Sequence, residues 1–359
     1  MSSRSGEKSH PAIQAAKDVN ALRTIRETEQ QRLSEALAAE PFLSVAESLS
    51  AIHEALVSRT LELAEQEMAR LGFTAPPVPY AYMLFGSGGR EEMTFSSDQD
   101  SGIVYGNPES EDEAASCEAY FARFAEEAVK LLIALGYPPC EGNVIASNPQ
   151  WCLSLRQWEE KVDGWFADPS WENVRYLLIV ADGRTVAGDE RLADGLKDRF
   201  RTDMLQNPVI TRRMMENTLR HKVLVGIFGQ LLRERYGENA GGLDIKYGAY
   251  IPMVNVFRLL ALQAGIRAAG TLVRIEALRS AGKISEREAE EAISAFTLVM
   301  KLRLLTAARV EGTQWIGSGK VPKEQLTKEL AQSLKRALKF GKRMQRRVER
   351  EMQDRFGGR

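Results

Sequence analysis

LFGSGGREEMTFSSDQDSGIVY, residues 84–105, joins two apolar segments through a glycine-rich turn and a polar connection. The segments YAYMLF (80–85) and SGIVY (101–105) each predict a short strand, because aromatic and aliphatic residues dominate both. Asp98 and Asp100 stand two residues apart where the second strand begins. Alternate side chains of an extended chain point the same way, so the two carboxylates are expected on one face.

Two carboxylates on one face are suited to a hard cation such as Mg²⁺, which completes its shell with phosphate oxygens and water. A pair of such ions can activate an attacking oxygen and neutralise a leaving pyrophosphate. The glycines of residues 86–89 allow backbone N–H groups to approach a phosphate, Ser87 adds a hydroxyl donor, and Arg90 adds a delocalised charge. Either feature alone is common, but together they indicate a site for a metal ion and a nucleoside triphosphate.

Gly86-Ser87 followed by Asp98-x-Asp100 resembles the signature of the nucleotidyltransferase superfamily that includes DNA polymerase beta. The stretch GSGGREEMTFSSDQD is similar to the pattern GSEGRxEQTxxxDQD of bacterial nucleotidyltransferases related to protein-PII uridylyltransferase, although Gly88 replaces the usual Glu. Three later stretches resemble the same family, namely GYPPCEGNVIASNPQWCLSLRQW (136–158), DGRTVAGD (182–189) and GGLDIKYGAYIPMVNVFRLLAL (241–262). No segment like the CBS domains often fused to this family is visible.

The sequence predicts an α+β fold in three regions. Residues 1–74 are expected to form an N-terminal helical region, which ends where prolines interrupt the helical pattern in GFTAPPVP (72–79). Residues 75–204 are expected to form the nucleotidyltransferase domain, a mixed sheet with flanking helices that include a long helix over 111–135. Residues 205–359 are expected to form an all-α, substrate-binding domain.

The resemblance implies a role for each residue of the motif. Asp98 and Asp100 would be catalytic and would hold Mg²⁺ or Mn²⁺. The triphosphate or its loop would be bound by Gly86, Ser87, Gly89 and Arg90. In the C-terminal region, Asp244, Lys246 and Arg258 match family positions, where they would bind phosphate or the acceptor, or would form ordinary salt bridges between helices.

The superfamily usually adds a third carboxylate, which helps to deprotonate the acceptor hydroxyl. Asp182 is the first candidate, because a carboxylate that ends the apolar run 176–181 can face a cleft. A turn carboxylate paired with Arg184 is the alternative interpretation of Asp182. Glu141, beside an expected strand GNVIASN (142–148), is the second candidate.

Composition limits the partners. The chain has 359 residues, with 48 Lys and Arg against 49 Asp and Glu, so its net charge of −1 creates no general attraction to nucleic acid or membranes.

Cys140 and Cys152 lack a neighbouring basic group and are interpreted as packing residues. The N-terminal MSSRSGEKSHPAIQ has no apolar core typical of a signal peptide, which favours the cytoplasm. The basic stretch 333–359 is interpreted as a solvated amphipathic helix rather than a polyanion site.

These observations predict a magnesium-dependent transferase of the [protein-PII] uridylyltransferase type. It would move a nucleoside monophosphate from a triphosphate to an acceptor hydroxyl and release pyrophosphate. The acceptor is open, and a protein tyrosine in a signalling protein is one candidate. A catalytically silent nucleotide-binding sensor or scaffold is the main alternative. Addition to RNA 3′ ends is a third hypothesis, supported only by the basic stretch, and neither nucleic acid nor membrane is the expected partner.

Overall fold

The computed structural model describes residues 10–76, 78–221, 223–226, 230–233, 240–310 and 314–356. The first nine residues, part of the stretch interpreted as lacking a signal peptide, lie outside the described residues. The chain forms two compact units, one of Met1–Trp158 with Arg184–Ala193 and the other of Glu159–Gly183 with Asp194–Arg359. The expected domain boundaries at 74 and 204 stay predictions, since the compact units are divided at other points.

The first unit contains a four-stranded mixed sheet. Its helices are α1 (Pro11–Ala15), α2 (Val19–Ala36), α3 (Phe42–Arg70), α4 (Gly86–Gly89) and α5 (Glu111–Leu135), with a 3-10 turn at Pro149–Trp151. Its strands are β1 (Tyr80–Leu84), β2 (Ser101–Tyr105), β3 (Cys152–Ser154) and β4 (Arg184–Gly188). The strand order is β3-β2-β1-β4, with β2 and β3 parallel and the other pairs antiparallel. The mixed sheet with flanking helices and both predicted strands are therefore confirmed.

Helix α5 forms as its sequence predicts. The hydroxyl of Ser110 accepts a hydrogen bond from the Glu113 N–H, and acidic residues in the first turn complement the positive end of the helix. Gly136 ends the helix in the left-handed conformation, with φ of 104°. The ring of Phe121 stacks on Tyr105 of β2 at 4.6 Å between centroids, which fixes the helix against the sheet.

Helix α2 is tied to the connection that precedes the two aspartates. Arg26 donates to the carbonyl oxygens of Leu135 and Phe95, at 3.2 and 3.3 Å, and Gln30 donates to Phe95 at 3.0 Å. Both polar side chains are buried, so these hydrogen bonds satisfy groups that would otherwise be costly to bury. The N-terminal helices thus pack into the same unit as the sheet.

The second unit is mainly helical. Two of its helices, α6 (Leu155–Ala167) and α8 (Glu190–Gln206), begin in the first unit. The others are α7 (Trp171–Ala181), α9 (Pro208–Arg220), α10 (Ile251–Gln263), α11 (Thr271–Ser280), α12 (Glu286–Leu305) and α13 (Lys328–Phe356). A π-helix over Lys246–Tyr250 leads into α10, and a 3-10 turn spans Lys323–Gln325. Two short antiparallel ladders, β5 (Leu243–Asp244) with β8 (Lys320–Val321) and β6 (Ala307–Val310) with β7 (Gln314–Gly317), correct the prediction that this region is all-α.

Helix α13 buries an apolar stripe that includes Leu334, Leu338 and Val348, while basic residues such as Lys339 and Arg346 are exposed. This agrees with the interpretation of the basic stretch as a solvated amphipathic helix. Among the described residues, no helix combines the length and apolar character needed to cross a membrane.

Candidate active site

The glycine-rich turn after β1 lies in direct contact with Asp100. Gly86 has φ of 51°, and a Cβ atom at this position would lie 2.2 Å from the Asp100 Oδ2 atom. The Phe85 N–H donates to the Asp100 carbonyl oxygen at 2.9 Å, which joins the end of β1 to the residue before β2. Glycine suits this position, since its φ is positive and a side chain would occupy the space that the carboxylate takes.

The glycines form a single helical turn, α4. Gly89 N–H donates to the Phe85 carbonyl and Arg90 N–H to that of Gly86, at 2.8 and 3.2 Å. Glu91 then adopts φ of 59°, which ends α4. The first N–H groups of a helical turn have no partner within the turn, so those of residues 86–88 are the donors that a phosphate could use.

Arg90 braces the loop that carries this turn. Its side chain is 6% exposed, and its Nε atom lies 2.8 Å from Oε2 of Glu92, which is equally buried. A buried ion pair of this kind is costly to break, because the remaining charge would be left without compensation. Arg90 was expected to bind either the triphosphate or the loop. The ion pair with Glu92 supports the role in which Arg90 holds the loop.

Asp98 and Asp100 flank a buried glutamine. Gln99 is 3% exposed and donates its side-chain amide to the Tyr137 carbonyl oxygen at 2.9 Å, while both aspartates are half-buried. The Gln99 N–H also donates to the Pro138 carbonyl at 3.0 Å. The alternation of an extended chain thus places the carboxylates on one face, and Gln99 anchors them to the segment that follows α5.

The same segment brings a thiol to the aspartates. One oxygen each from Asp98 and Asp100 and the Sγ atom of Cys140 all lie within 4.8 Å of one another. Burial, with the negative charge of Asp100, raises the pKa of the Cys140 thiol to about 12. Cys140 was interpreted as a packing residue because no basic group neighbours it in the sequence. The pairing of Gln99 with residues 137 and 138 brings it to the aspartates.

This donor set fits a divalent cation. Carboxylate oxygens are ligands for Mg²⁺ and Mn²⁺, and the three groups are close enough to contact one ion. Asp98 and Asp100 would hold it, with phosphate oxygens and water in the remaining positions.

Glu141, the second candidate for a third carboxylate, is exposed in a turn next to Cys140. The expected strand over residues 142–148 is absent from this described segment, which forms turns instead. Asn143 adopts φ of 55° within it, and such a conformation interrupts an extended chain. The Ser101 N–H nevertheless donates to the Val144 carbonyl at 3.1 Å, so the segment still lines the start of β2.

Asp182, the first candidate, is a buried helix-end carboxylate. It follows α7 and is 1% exposed, and its two oxygens lie 2.8 Å from Nη1 of Arg258 and 2.8 Å from Nη1 of Arg274. Arg184, the partner expected in the alternative interpretation, instead pairs with Glu54 at 3.1 Å. The carboxylate thus connects α7 to α10 and α11 within the second unit.

The remaining family positions also lie in the second unit. Lys246 begins the π-helix, with its Nζ atom 5.3 Å from the ring centroid of Tyr247, and Asp244 accepts a hydrogen bond from the Tyr247 N–H at 2.8 Å. Arg258 takes the salt-bridging role that was one of its two expected roles. The structure brings together residues 86–90, Asp98 and Asp100 in the first unit. A separate cluster, Asp182 with Arg258 and Arg274, lies in the second unit.

Two family models match the chain in succession. Residues 28–172 match the family described as "Putative nucleotidyltransferase DUF294". Residues 208–352 match the "Putative nucleotidyltransferase substrate binding domain", DUF294_C. The two matched regions follow one another along the chain without overlap. Both matches are to models of one nucleotidyltransferase family, which confirms the family resemblance seen in the sequence. A comparison with curated proteins gives no match.

Proposed function

We propose that this protein is a divalent-metal-dependent enzyme that transfers a nucleoside monophosphate from a triphosphate to an acceptor hydroxyl, with release of pyrophosphate. The observation that carries the proposal is the contact between the Gly86 turn and the Asp100 carboxylate. This contact places a turn of the kind that binds phosphate next to a carboxylate pair of the kind that binds metal ions. Family membership supports nucleotidyl transfer in general.

In this proposal Asp98 and Asp100 hold the metal, and the N–H groups of residues 86–88 with the Ser87 hydroxyl bind the triphosphate. Gly89, whose N–H donates to the Phe85 carbonyl, holds the turn closed. A bound divalent ion supplies charge neutralisation for the reacting phosphates. Arg90 acts through Glu92 to keep the turn in the binding conformation. The turn thus orients the triphosphate against the carboxylate pair.

We assign the proton acceptor for the incoming hydroxyl to Glu141 rather than Asp182. Glu141 is exposed and adjacent to Cys140, whereas both oxygens of Asp182 are engaged by buried arginines. A general base needs an oxygen that can reach the substrate proton. Glu141→Gln should therefore lower the rate of transfer.

The acceptor is proposed to be a protein, and Lys246 in the substrate-binding domain is proposed to contact it or the phosphates. The test uses each of the four nucleoside triphosphates, labelled at the α-phosphate, with a cell extract and Mg²⁺ or Mn²⁺. The wild type should give a labelled product that protease degrades and that nuclease leaves intact. Asp98→Asn with Asp100→Asn should abolish labelling while the circular dichroism spectrum is unchanged; full labelling by that variant would refute the proposal.

A catalytically silent nucleotide sensor is the second candidate. The observation that favours it is the engagement of Asp182, which removes one of the two candidate third carboxylates from use. Saturable binding of a triphosphate in calorimetry, with no labelled product from any extract fraction, would support the sensor. A nuclease-sensitive labelled product would instead support addition to RNA.

A further inference from the structure

Cys140 is fixed against the aspartate pair by bonds to the residue between the two carboxylates. The backbone and side chain of Gln99 donate to the Pro138 and Tyr137 carbonyls, at 3.0 and 2.9 Å. A parallel bridge also pairs Gln99 with Pro139, the residue directly before the cysteine. The position of the sulfur is therefore set by the same contacts that orient Asp98 and Asp100.

The loop around Cys140 directs a hydrogen-bond donor at its sulfur. The Gly142 N–H lies 3.3 Å from Sγ, and the Cys140 carbonyl accepts from the Asn143 N–H at 3.1 Å, which closes a tight turn. Asn143 holds this turn with φ of 55°. This N–H group helps to hold the sulfur in place beside the aspartates.

The three donors form a group that a cation would stabilise. One oxygen of each carboxylate and the thiol sulfur lie within 4.8 Å of one another; the two carboxylates repel each other, and a divalent ion between them would turn this repulsion into attraction. The donors come from two chain segments about 40 residues apart, so their convergence is a property of the fold. Sulfur is a soft ligand, whereas carboxylate oxygen is hard.

We propose that Cys140 is a third protein ligand of the ion held by Asp98 and Asp100, and that this sulfur makes the site prefer Mn²⁺, Co²⁺ or Zn²⁺ to Mg²⁺. On binding, a metal–sulfur bond forms and the thiol proton passes to solvent. The inference rests on the metal site of the proposed function and adds the identity of a ligand and the metal preference that follows from it.

Cobalt provides a direct test, because a thiolate ligand gives Co²⁺ an intense sulfur-to-metal charge-transfer band in the near ultraviolet. We expect Co²⁺ titration of the reduced wild-type protein to produce this band to saturation. Cys140→Ser should lose the band and bind Co²⁺ at least about tenfold more weakly, with Mg²⁺ affinity changed less than about threefold. Cys152→Ser is the matched control, since Cys152 is also half-buried, and should keep the band.

The outcomes separate this inference from the proposed function. Co²⁺ binding to the wild type without a sulfur band, or an unchanged band in Cys140→Ser, overturns the role of Cys140 and leaves the aspartate site standing. Failure of the wild type to bind any divalent ion, measured by calorimetry, overturns both. The wild-type spectrum needs no variant, so the test holds even if Cys140→Ser does not fold.

Discussion

Gly86 and Asp100 are in contact across the loop that joins β1 to β2: a Cβ atom on Gly86 would lie 2.2 Å from Asp100 Oδ2 and 3.2 Å from its Cγ. The phosphate-binding type of turn and the metal-binding type of carboxylate are thus parts of one surface. A substitution at either residue should alter the position of the other.

Gly86→Ala should displace the Asp100 carboxylate. We expect affinity for Mn²⁺ to fall at least about tenfold, because moving a ligand should cost no less than loss of an outer-shell partner. Gly72→Ala is the control, because Gly72 also has positive φ, 83°, but nothing lies within 4 Å of its Cβ position. Both variants should lose roughly 1–2 kcal/mol of stability to backbone strain. Equal Mn²⁺ affinities in the two variants would show that the contact is unimportant.

Asp182→Asn should reduce stability rather than catalysis. It would leave Arg258 and Arg274 buried with less compensation, and breaking a buried ion pair of this kind costs about 3–5 kcal/mol. Urea unfolding followed by tryptophan fluorescence measures the loss. Glu54→Gln, which removes the half-exposed partner of Arg184, should cost less than about 1 kcal/mol. A stable Asp182→Asn protein without transferase activity would instead support a catalytic role.

Stability should decrease in acid because of His53. Burial, with the positive charge of Arg26, lowers the pKa of His53 from 6.5 to about 3, and the ring lies 2.6 Å from the Tyr137 hydroxyl. Between these pH values the unfolded chain binds a proton that the folded chain excludes, so stability falls as the pH falls below 6.5. The slope from this residue is at most about 1.4 kcal/mol per pH unit. Urea midpoints at pH 7 and pH 5 should differ less in His53→Asn; an unchanged difference would contradict this assignment.

Gln99→Met should weaken metal binding without touching a ligand. The substitution keeps the size of the side chain but removes the donor to the Tyr137 carbonyl, so the aspartates lose an anchor. We expect a decrease in Mn²⁺ affinity of about 10-fold, the lower range for an outer-shell partner. Gln150→Met, at an exposed position of the 3-10 turn before β3, should bind Mn²⁺ as the wild type does. If Gln99→Met binds Mn²⁺ as tightly as the wild type, the hydrogen bond from Gln99 does not anchor the aspartates.

The sequence predicted those helices and strands whose pattern lies within one continuous stretch of residues. Strands β1 and β2 follow from their apolar runs, and α5 follows from an acidic N-terminus, a long amphipathic pattern and Gly136. The small ladders of the second unit were missed because β5 and β8 contain only two residues each. Such pairings depend on tertiary contacts and leave little trace in local pattern.

For the candidate site, the motif identified Asp98, Asp100 and the glycine turn, because these residues lie within one short stretch. The sequence did not show the approach of Cys140 to the aspartates or of Arg258 to Asp182, for the same physical reason. A carboxylate after an apolar run has the same local sequence whether it faces a cleft or an arginine, and Arg258 is 76 residues away. Long-range pairing of charges requires the fold to be known.

Metal-dependent binding of a nucleoside triphosphate tests the central claim most directly. Calorimetric titration of the wild type with each triphosphate, with and without Mn²⁺, should show binding that the ion strengthens. In the folded Asp98→Asn, Asp100→Asn variant the ion should no longer strengthen binding. If that variant binds triphosphate and Mn²⁺ as tightly as the wild type, these two aspartates do not form the metal site.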